Sequence, residues 1–249
     1  MKKRNLIIDG DHLLYNVVPM GNALGGEDIG SGPSFKKLKR AFKDEVQRAI
    51  DDAAVEAMGE FKIGKTKVVI SDMINFRYNL FPEYKANRKQ LKKPPIFYEL
   101  QDWARQKYLT VPNCEADDVC GYYVSKKNWV GLTTDKDLIF GVGGLWFDAY
   151  PSRREWREQS DYEAHRFVLM QTLAGDLGDG IPGLPRVGLK TAEKLLNESP
   201  YGWTWESVVN LYLEHGFDEN RAILMRRLVD MTQLHKVKGE WIIRLFSPA

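Results

Sequence analysis

Cysteine and histidine are both scarce in this chain of 249 residues, and each shortage excludes something. The two cysteines, Cys114 and Cys120, supply neither a disulfide framework nor the paired spacing of a metal knuckle, so a reduced, cytoplasmic protein is expected. The four histidines, His12, His165, His215 and His235, all fall outside the acidic motifs described below, which argues against a zinc centre. Long apolar runs are missing too. None approaches the roughly 18 residues of a membrane span, and Met1 to Arg4 lead straight into a strand-like run instead of a signal-peptide core. The net charge is only +2, but that near-neutrality hides a separation of signs along the chain. With 43% hydrophobic residues the chain can bury a real core, as one large domain or a domain with a small module, and it shows no internal repeat.

What the chain does have is acid at the ends of apolar runs. Glu115, Asp117 and Asp118 precede a helical run of Val119, Cys120, Tyr122, Tyr123 and Val124, where acids in the first turn complement the helix dipole. Asp9 closes the run Leu6 to Ile8, Asp72 follows Val68 to Ser71, Asp135 and Asp137 follow Val130 to Thr134, and Asp176 and Asp179 sit in a glycine-rich stretch. Apolar, β-prone runs that end in an acid and alternate with helical patterns describe an α/β fold. Its mainly parallel central sheet is flanked by helices, and its ligand crevice lies beyond the carboxyl ends of the strands. Nine carboxylates then converge on one edge. Like charges so close raise each other's pKa and destabilise the fold unless cations intervene, which points to bound divalent metal. Asp11 reads as a helix N-cap, outside this set.

The periodicity predicts strands at Asn5–Ile8, Lys67–Ser71, Tyr108–Val111, Trp129–Thr133 and Leu145–Tyr150, and a last strand within 240–246 that returns to the core. Ser34 is expected to cap a long amphipathic helix ending near Met58, a further helix runs from Ile96 to about Gln106, and residues 21–33, with five glycines, read as a flexible loop. A core over residues 1–160 and a helical region over 161–249 follow. Within the core, the proline-bounded segment 81–95 carries Lys85, Arg88, Lys89, Lys92 and Lys93 without an intervening acid. Beside Tyr84, these suit a phosphate-tracking clamp with Tyr84 as a base-stacking platform. At about 176–197 a hairpin with Gly183 and Gly188 lies between helical runs. Such a hairpin lets backbone N–H groups approach a phosphate, and the helix opened by Lys190 and Thr191 adds its dipole. Trp203, Trp205 and Trp241 read as packing residues.

Glu115 to Asp118, Thr134 to Asp137, Gly175 to Ala192 and Pro82 to Arg88 resemble the motifs of the flap endonuclease superfamily of 5′ nucleases. Asp9 to Asp11, Lys85 to Lys89 with Lys92 to Pro94, and Trp241 to Phe246 look most like its stand-alone 5′-3′ exonucleases from short-tailed lytic bacteriophages. The likeness runs over residues 5–192 and leaves 21–66 nearly bare.

The resemblance implies a two-metal hydrolase with Mg²⁺ as its ion and Mn²⁺ as a substitute. Two such ions about 3.5 to 4 Å apart supply the activated water, the charge stabilisation and the supported leaving oxygen of an in-line displacement. It assigns ligand roles, directly or through water, to Asp9, Asp72, Glu115, Asp117 and Asp118 for the tighter ion and to Asp135, Asp137, Asp176 and Asp179 for the second. Lys85 and Arg88 match the pair that steers the scissile phosphate. Tyr84, Lys89, Lys92 and Lys93 match the family's arch, which here looks too short to close around a single strand, so an open clamp is expected.

The region at 176–197 matches a helix-hairpin-helix that grips a duplex backbone around K⁺, with Gly183, Arg186, Gly188, Lys190 and Thr191 as its contacts. Arg186 stands where that hairpin commonly has glycine, which is strained if the position needs φ > 0. The expected substrates are double-stranded and branched DNA and, through primer removal, RNA–DNA hybrids. The implied protein is a monomer in the cytoplasm, the host's if the chain is viral, meeting replication proteins and no membrane. Two rival functions are weaker. A haloacid dehalogenase-like phosphatase, with Asp9 as nucleophile and Asp11 as general acid, leaves Glu115 to Asp118 and the basic run without a role. A catalytically silent DNA-binding scaffold would keep an acidic cluster that only destabilises it.

Overall fold

The computed structural model describes residues 1–18, 34–90 and 93–248, with every side chain among them except those of residues 89 and 90. The loop 21–33, Lys92 and the Lys89 side chain therefore lie outside the described residues.

Strand β1 (Lys2–Asp9) lies inside the sheet, and its Leu6, Ile7 and Ile8 have no exposure at all. A strand covered on both faces has no polar side, which is why this run reads as continuously apolar. Its side chains still alternate. Leu6 and Ile8 pack with Leu13 and Leu14 of α1 (Asp11–Val17), with Phe42 of α2 (Phe35–Glu56) and with Val68 of β2 (Phe61–Val69). After β2 come a short helix α3 (Arg77–Leu80), a 3-10 turn at Ala86–Gln90, α4 (Pro95–Lys107) and α5 (Ala116–Val124). Ile7, on the opposite face of β1, packs with Val119 and Cys120 of α5.

The sheet is completed by β3 (Trp129–Thr133), β4 (Gly144–Asp148) and β5 (Glu155–Gln159), with α6 (Lys136–Gly141) between β3 and β4. The strand order is β2-β1-β3-β4-β5; the first four are parallel and β5 is an antiparallel edge. The chain winds outward in opposite directions from β1 and β3, so their carboxyl ends form the switch point where an α/β sheet opens a crevice. Gly131 in β3 makes room for the buried Trp146 of β4: a Cβ there would lie 2.2 Å from the indole.

Several expected elements differ. Tyr108–Val111 gives only a single bridge, Leu109 to Val69, because Pro112 and the left-handed Asn113 turn the chain away towards α5. Ser34 occupies the N-cap position of α2, yet its side chain makes no capping bond. Strand β5 was not legible, since its sequence Glu-Trp-Arg-Glu-Gln belongs to a solvated edge. The closing strand comes back to the core, where Trp241 and Ile243 pack against the cluster of Ile7, Val119 and Trp146, but it joins no strand of the central sheet. It is β9 (Glu240–Ile243), paired only with β8 (Leu234–Val237), and its Trp241 packs on Tyr122 and Tyr123 of α5 at 4.9 and 6.3 Å between ring centroids.

The helical region begins with α7 (Asp161–Ala174), whose Ser160 and Glu163 form a capping box. The short pair β6 (Gly175–Asp176) and β7 (Ile181–Pro182) makes the hairpin that leads to α8 (Leu189–Glu198), α9 (Trp205–Glu214) and α10 (Glu219–Val229). Leu169, Leu173, Leu196, Val208, Met225 and Leu228 are the centre of their shared core, and Tyr84 reaches into it from the basic segment.

Candidate active site

Acids from four parts of the chain meet at the switch point. Asp9 ends β1, Asp135 caps α6 one strand over, Glu115 and Asp117 open α5, and Asp176 and Asp179 come in from the hairpin. Asp9 accepts from the Thr133 hydroxyl at 3.1 Å and the Asp11 N–H at 3.0 Å, and Asp135 accepts from the Asp137 N–H at 2.7 Å. Burial first, then Asp9 and Asp135, pushes Asp117 well above the usual carboxylate range. Asp135 is raised by burial, against the Asp137 amide, and by Asp9 and Asp179. Asp137 is pushed up to about 8 by burial, then by Asp135 and Asp176.

One Asp137 oxygen, Oδ1, is buried with no hydrogen-bond partner, a costly state until a proton or a cation meets it. Buried, mutually repelling oxygens with an unmet acceptor fit a hard divalent cation. Among the described residues, no three His, Cys, Asp or Glu side chains already stand together as a ligand set. Protein cations are interposed instead.

Lys85 bonds Glu115 Oε1 and lies 3.4 Å from Asp179 Oδ2, while Arg88 pairs with Asp179 Oδ1 and donates to Gly178 O at 3.0 Å. Burial alone would raise the Glu115 pKa, but Lys85 and then Arg77 hold it below the usual range. Lys85 has φ of 54°, a left-handed backbone uncommon for a long side chain, fixed by its N–H to Asp179 O at 2.7 Å. The segment that carries the two expected phosphate-steering cations is thus folded against the acids.

The aromatic assignment is corrected. Tyr84 is buried, and its hydroxyl spans Glu115 Oε2 at 2.7 Å and Asp179 Oδ2 at 3.0 Å, so its ring has no face for a base. An exposed aromatic beside this segment is Tyr15, 46% exposed, with the Lys93 Nζ 4.5 Å from its ring centroid and Phe97 5.0 Å behind it. The sequence carried that signal: Tyr15 falls off the apolar stripe of α1, whose Leu13 and Leu14 are buried. Lys93 itself packs half-buried over Tyr15 and Phe97.

Two more of the nine expected ligands, Asp118 and Asp72, are held by partners within the chain. Asp118 has no exposure, and its two oxygens take the Arg77 guanidinium at 2.9 and 2.8 Å while one also accepts the Glu115 N–H at 3.1 Å. Asp72 accepts from the Met73 N–H at 2.8 Å and the Asn113 N–H at 2.9 Å, tying two loops together. Asp11 is not the N-cap. Gly10 is, because the chain turns one residue earlier, and Asp11 Oδ1 accepts from the Ser71 N–H at 3.3 Å. Burial, then Asp9, pushes Asp11 up to about 6. His12 does reach the site's edge, with Nδ1 3.6 Å from Asp9 Oδ2.

At the hairpin, Arg186 is exposed with φ of 63°, the strained conformation its sequence position suggested. Gly188 is the N-cap of α8, exposed together with Lys190 and Thr191, so that helix start is open. At Gly183 a Cβ would lie 2.1 Å from the Ala174 carbonyl carbon, so its lack of a side chain seats the hairpin on α7. The residue that sequence reasoning missed altogether is Arg77, fully buried behind Glu115.

A mainly parallel α/β sheet that gathers carboxylates, a lysine and an arginine at its switch point defines a candidate metal- and phosphate-handling centre. No family model matches the chain. The exonuclease of Escherichia phage T7 is 33% identical over 209 residues, 77% of this chain and 66% of that protein, and the exodeoxyribonuclease of Enterobacteria phage T3 is 29% identical over 210 residues, again 66% of its length. The thermostable DNA polymerase I of Thermus thermophilus is 29% identical over 229 residues, but the aligned part is only 25% of that protein. In fold, the chain is similar to a phage T5 protein co-crystallised with metal ions, with a TM-score of 0.63 at 18% identity over 92% of this chain and 90% of that one. In sequence the chain is similar to exonucleases of phages T7 and T3, and it shares its fold with that phage T5 protein. It spans about two thirds of the length of those phage exonucleases.

Proposed function

We propose that this chain is a metal-dependent 5′ nuclease that hydrolyses phosphodiesters at DNA 5′ ends and at branched junctions. The observation that carries the reading is the convergence of Asp9, Glu115, Asp117, Asp135, Asp137, Asp176 and Asp179, with Lys85 and Arg88 held against them. Those seven acids would hold the ions, with Asp72 and Asp118 bracing the loops and helix that carry them. Two Mg²⁺ ions, or Mn²⁺ in their place, would supply the activated water and the charge stabilisation that phosphodiester cleavage needs.

The chain's own residues bind and orient. Lys85 and Arg88 are the cations nearest the acids and serve the scissile phosphate, where charge grows most in the transition state. Tyr15 takes the stacking role beside them. Arg186, Lys190, Thr191 and the open start of α8 grip the duplex backbone without reading sequence, with K⁺ bound at the hairpin. The basic segment is an open clamp that a duplex end enters from the side, with Lys89 and Lys92 as further phosphate contacts. RNA in RNA–DNA hybrids is cut by the same centre, and the working unit is a monomer.

A 5′-labelled duplex and a 5′-flap substrate incubated with Mg²⁺ and with a chelator give the direct test. Cleavage that survives chelation, or that begins at 3′ ends, removes this reading. Asp135→Asn should abolish cleavage while duplex binding is retained.

A further inference from the structure

Arg77 begins α3 and has no exposed surface. A guanidinium out of water is unfavourable unless its donors are met, and here they are met by two separate parts of the chain. Nη1 and Nη2 fork onto Asp118 at 2.9 and 2.8 Å, and Nη1 also lies 3.5 Å from Glu115 Oε2. Nε donates to Leu228 O at 2.8 Å, at the carboxyl end of α10, and Nη2 to Asp230 O at 3.2 Å in the turn beyond it. That turn is itself tied to the chain's last residues. Gln233 Nε2 donates to Arg227 O and Asp230 O at 2.8 and 3.0 Å, and its Oε1 accepts the Phe246 N–H at 2.9 Å. Arg227 Nε donates to Phe246 O at 2.8 Å.

We infer that Arg77 is a positioning residue for the metal-binding acids. Together with Tyr84 it holds the Oε2 side of Glu115, leaving Oε1 towards Lys85 and the cluster, and through Leu228 and Asp230 it makes that orientation depend on the C-terminal turn. This inference rests on the reading of the acids as a metal site.

The competing role is neutralisation of Asp118 alone. The two differ because a lysine keeps the charge but cannot fork to both Asp118 oxygens while also donating to Leu228 O. Replacing the whole pair with apolar residues removes the buried charges and restores packing without restoring the hold on Glu115. The test uses Arg77→Lys and the double variant Arg77→Met with Asp118→Leu, each checked by thermal unfolding. Mn²⁺ binding is followed by electron paramagnetic resonance of the free ion, and single-turnover cleavage at saturating Mg²⁺ runs alongside.

Both variants should bind Mn²⁺ about ten- to a hundredfold more weakly than wild type, with a similar loss in cleavage rate. Duplex affinity in Ca²⁺ should stay within about twofold, because Arg77 offers no surface to a phosphate. Wild-type Mn²⁺ affinity in either folded variant overturns the inference, and so does failure of both to fold, which would make Arg77 purely structural. Wild-type protein that binds Mn²⁺ yet cuts no DNA defeats the nuclease reading while leaving this comparison intact.

Discussion

Asp137→Asn should stabilise the metal-free protein and destabilise the metal-loaded one, and the size of the first effect follows from the site. Asp137 is 9% exposed, has a buried oxygen without a hydrogen-bond partner and with the Lys136 Nζ no nearer than 4.0 Å, and is pushed up to about 8 by burial and then by Asp135 and Asp176. In the unfolded chain the same carboxyl titrates near the ordinary aspartate value of about 3.9. Between these values the folded state keeps a proton that the unfolded state has released, so wild-type stability falls as pH rises and levels off above the folded value. One proton amounts to about 1.36 kcal/mol per pH unit, or about 3 kcal/mol between pH 5 and pH 7.

Asparagine carries no charge at either pH. Neighbouring acids titrate in both proteins and largely cancel in the difference. For a chain of this length about 3 kcal/mol corresponds to roughly 6–12 °C in melting temperature. Melting curves in EDTA at pH 5 and 7 should therefore show the variant gaining that much on wild type as pH rises. With Mg²⁺ the order reverses, because only wild type gains binding energy. Parallel pH dependences for the two metal-free proteins would refute the reasoning.

Other predictions separate roles that the sequence had merged. Tyr15→Ala should cost about 1–3 kcal/mol of DNA affinity by fluorescence anisotropy, the worth of one stacked base; a larger loss from Tyr84→Ala than from Tyr15→Ala would return the stacking role to Tyr84. Arg186→Gly should raise stability by about 1 kcal/mol by relieving its left-handed backbone, yet lower the slope of log affinity against log salt by about 0.9 for one lost phosphate contact. A variant with an unchanged salt slope means Arg186 does not touch DNA. Asp72→Asn should leave Mn²⁺ affinity nearly intact, since both its oxygens already serve backbone amides, whereas Asp135→Asn should weaken it about ten- to a hundredfold. Equal losses from the two would restore Asp72 to the ligand set.

The sheet was legible because a strand buried on both faces must be apolar throughout, as Leu6 to Ile8 are, and an acid placed directly after such a run lands at the strand's carboxyl end. Asp9 and Asp135 could be located that way. Direction within the last turn could not. Asp117 and Asp118 are neighbours in the first turn of one helix, about 100° apart around its axis, so one faces Asp9 and Asp135 while the other turns back to Arg77. Which is which depends on the partner that comes from α3, and nothing near residue 118 announces it. Tyr84 misled for the same reason: an aromatic beside lysines reads as a surface platform until the helical region supplies a core for its ring. Lone arginines such as Arg77 carry no pattern, since burial of a charge is decided by partners distant in sequence, here Asp118, Leu228 and Asp230.

The same partners tie the helical region to the core that carries the sheet. Tyr84 is packed in the helical core, yet its hydroxyl bonds Glu115 of α5 and Asp179 of the hairpin. Lys85, the next residue, bonds Glu115 and approaches Asp179 from its strained backbone. Arg77 joins Glu115 and Asp118 to the end of α10. Glu115 and Asp179, acids of the two regions, thus share Tyr84 and Lys85 between them, so a shift of the hairpin relative to α5 cannot occur without moving the carboxylates. If the hairpin holds the duplex and the acids hold the ions, the distance from gripped backbone to cleaved bond is fixed by these buried contacts, and that distance is what lets a protein that reads no bases choose one phosphodiester near a 5′ end.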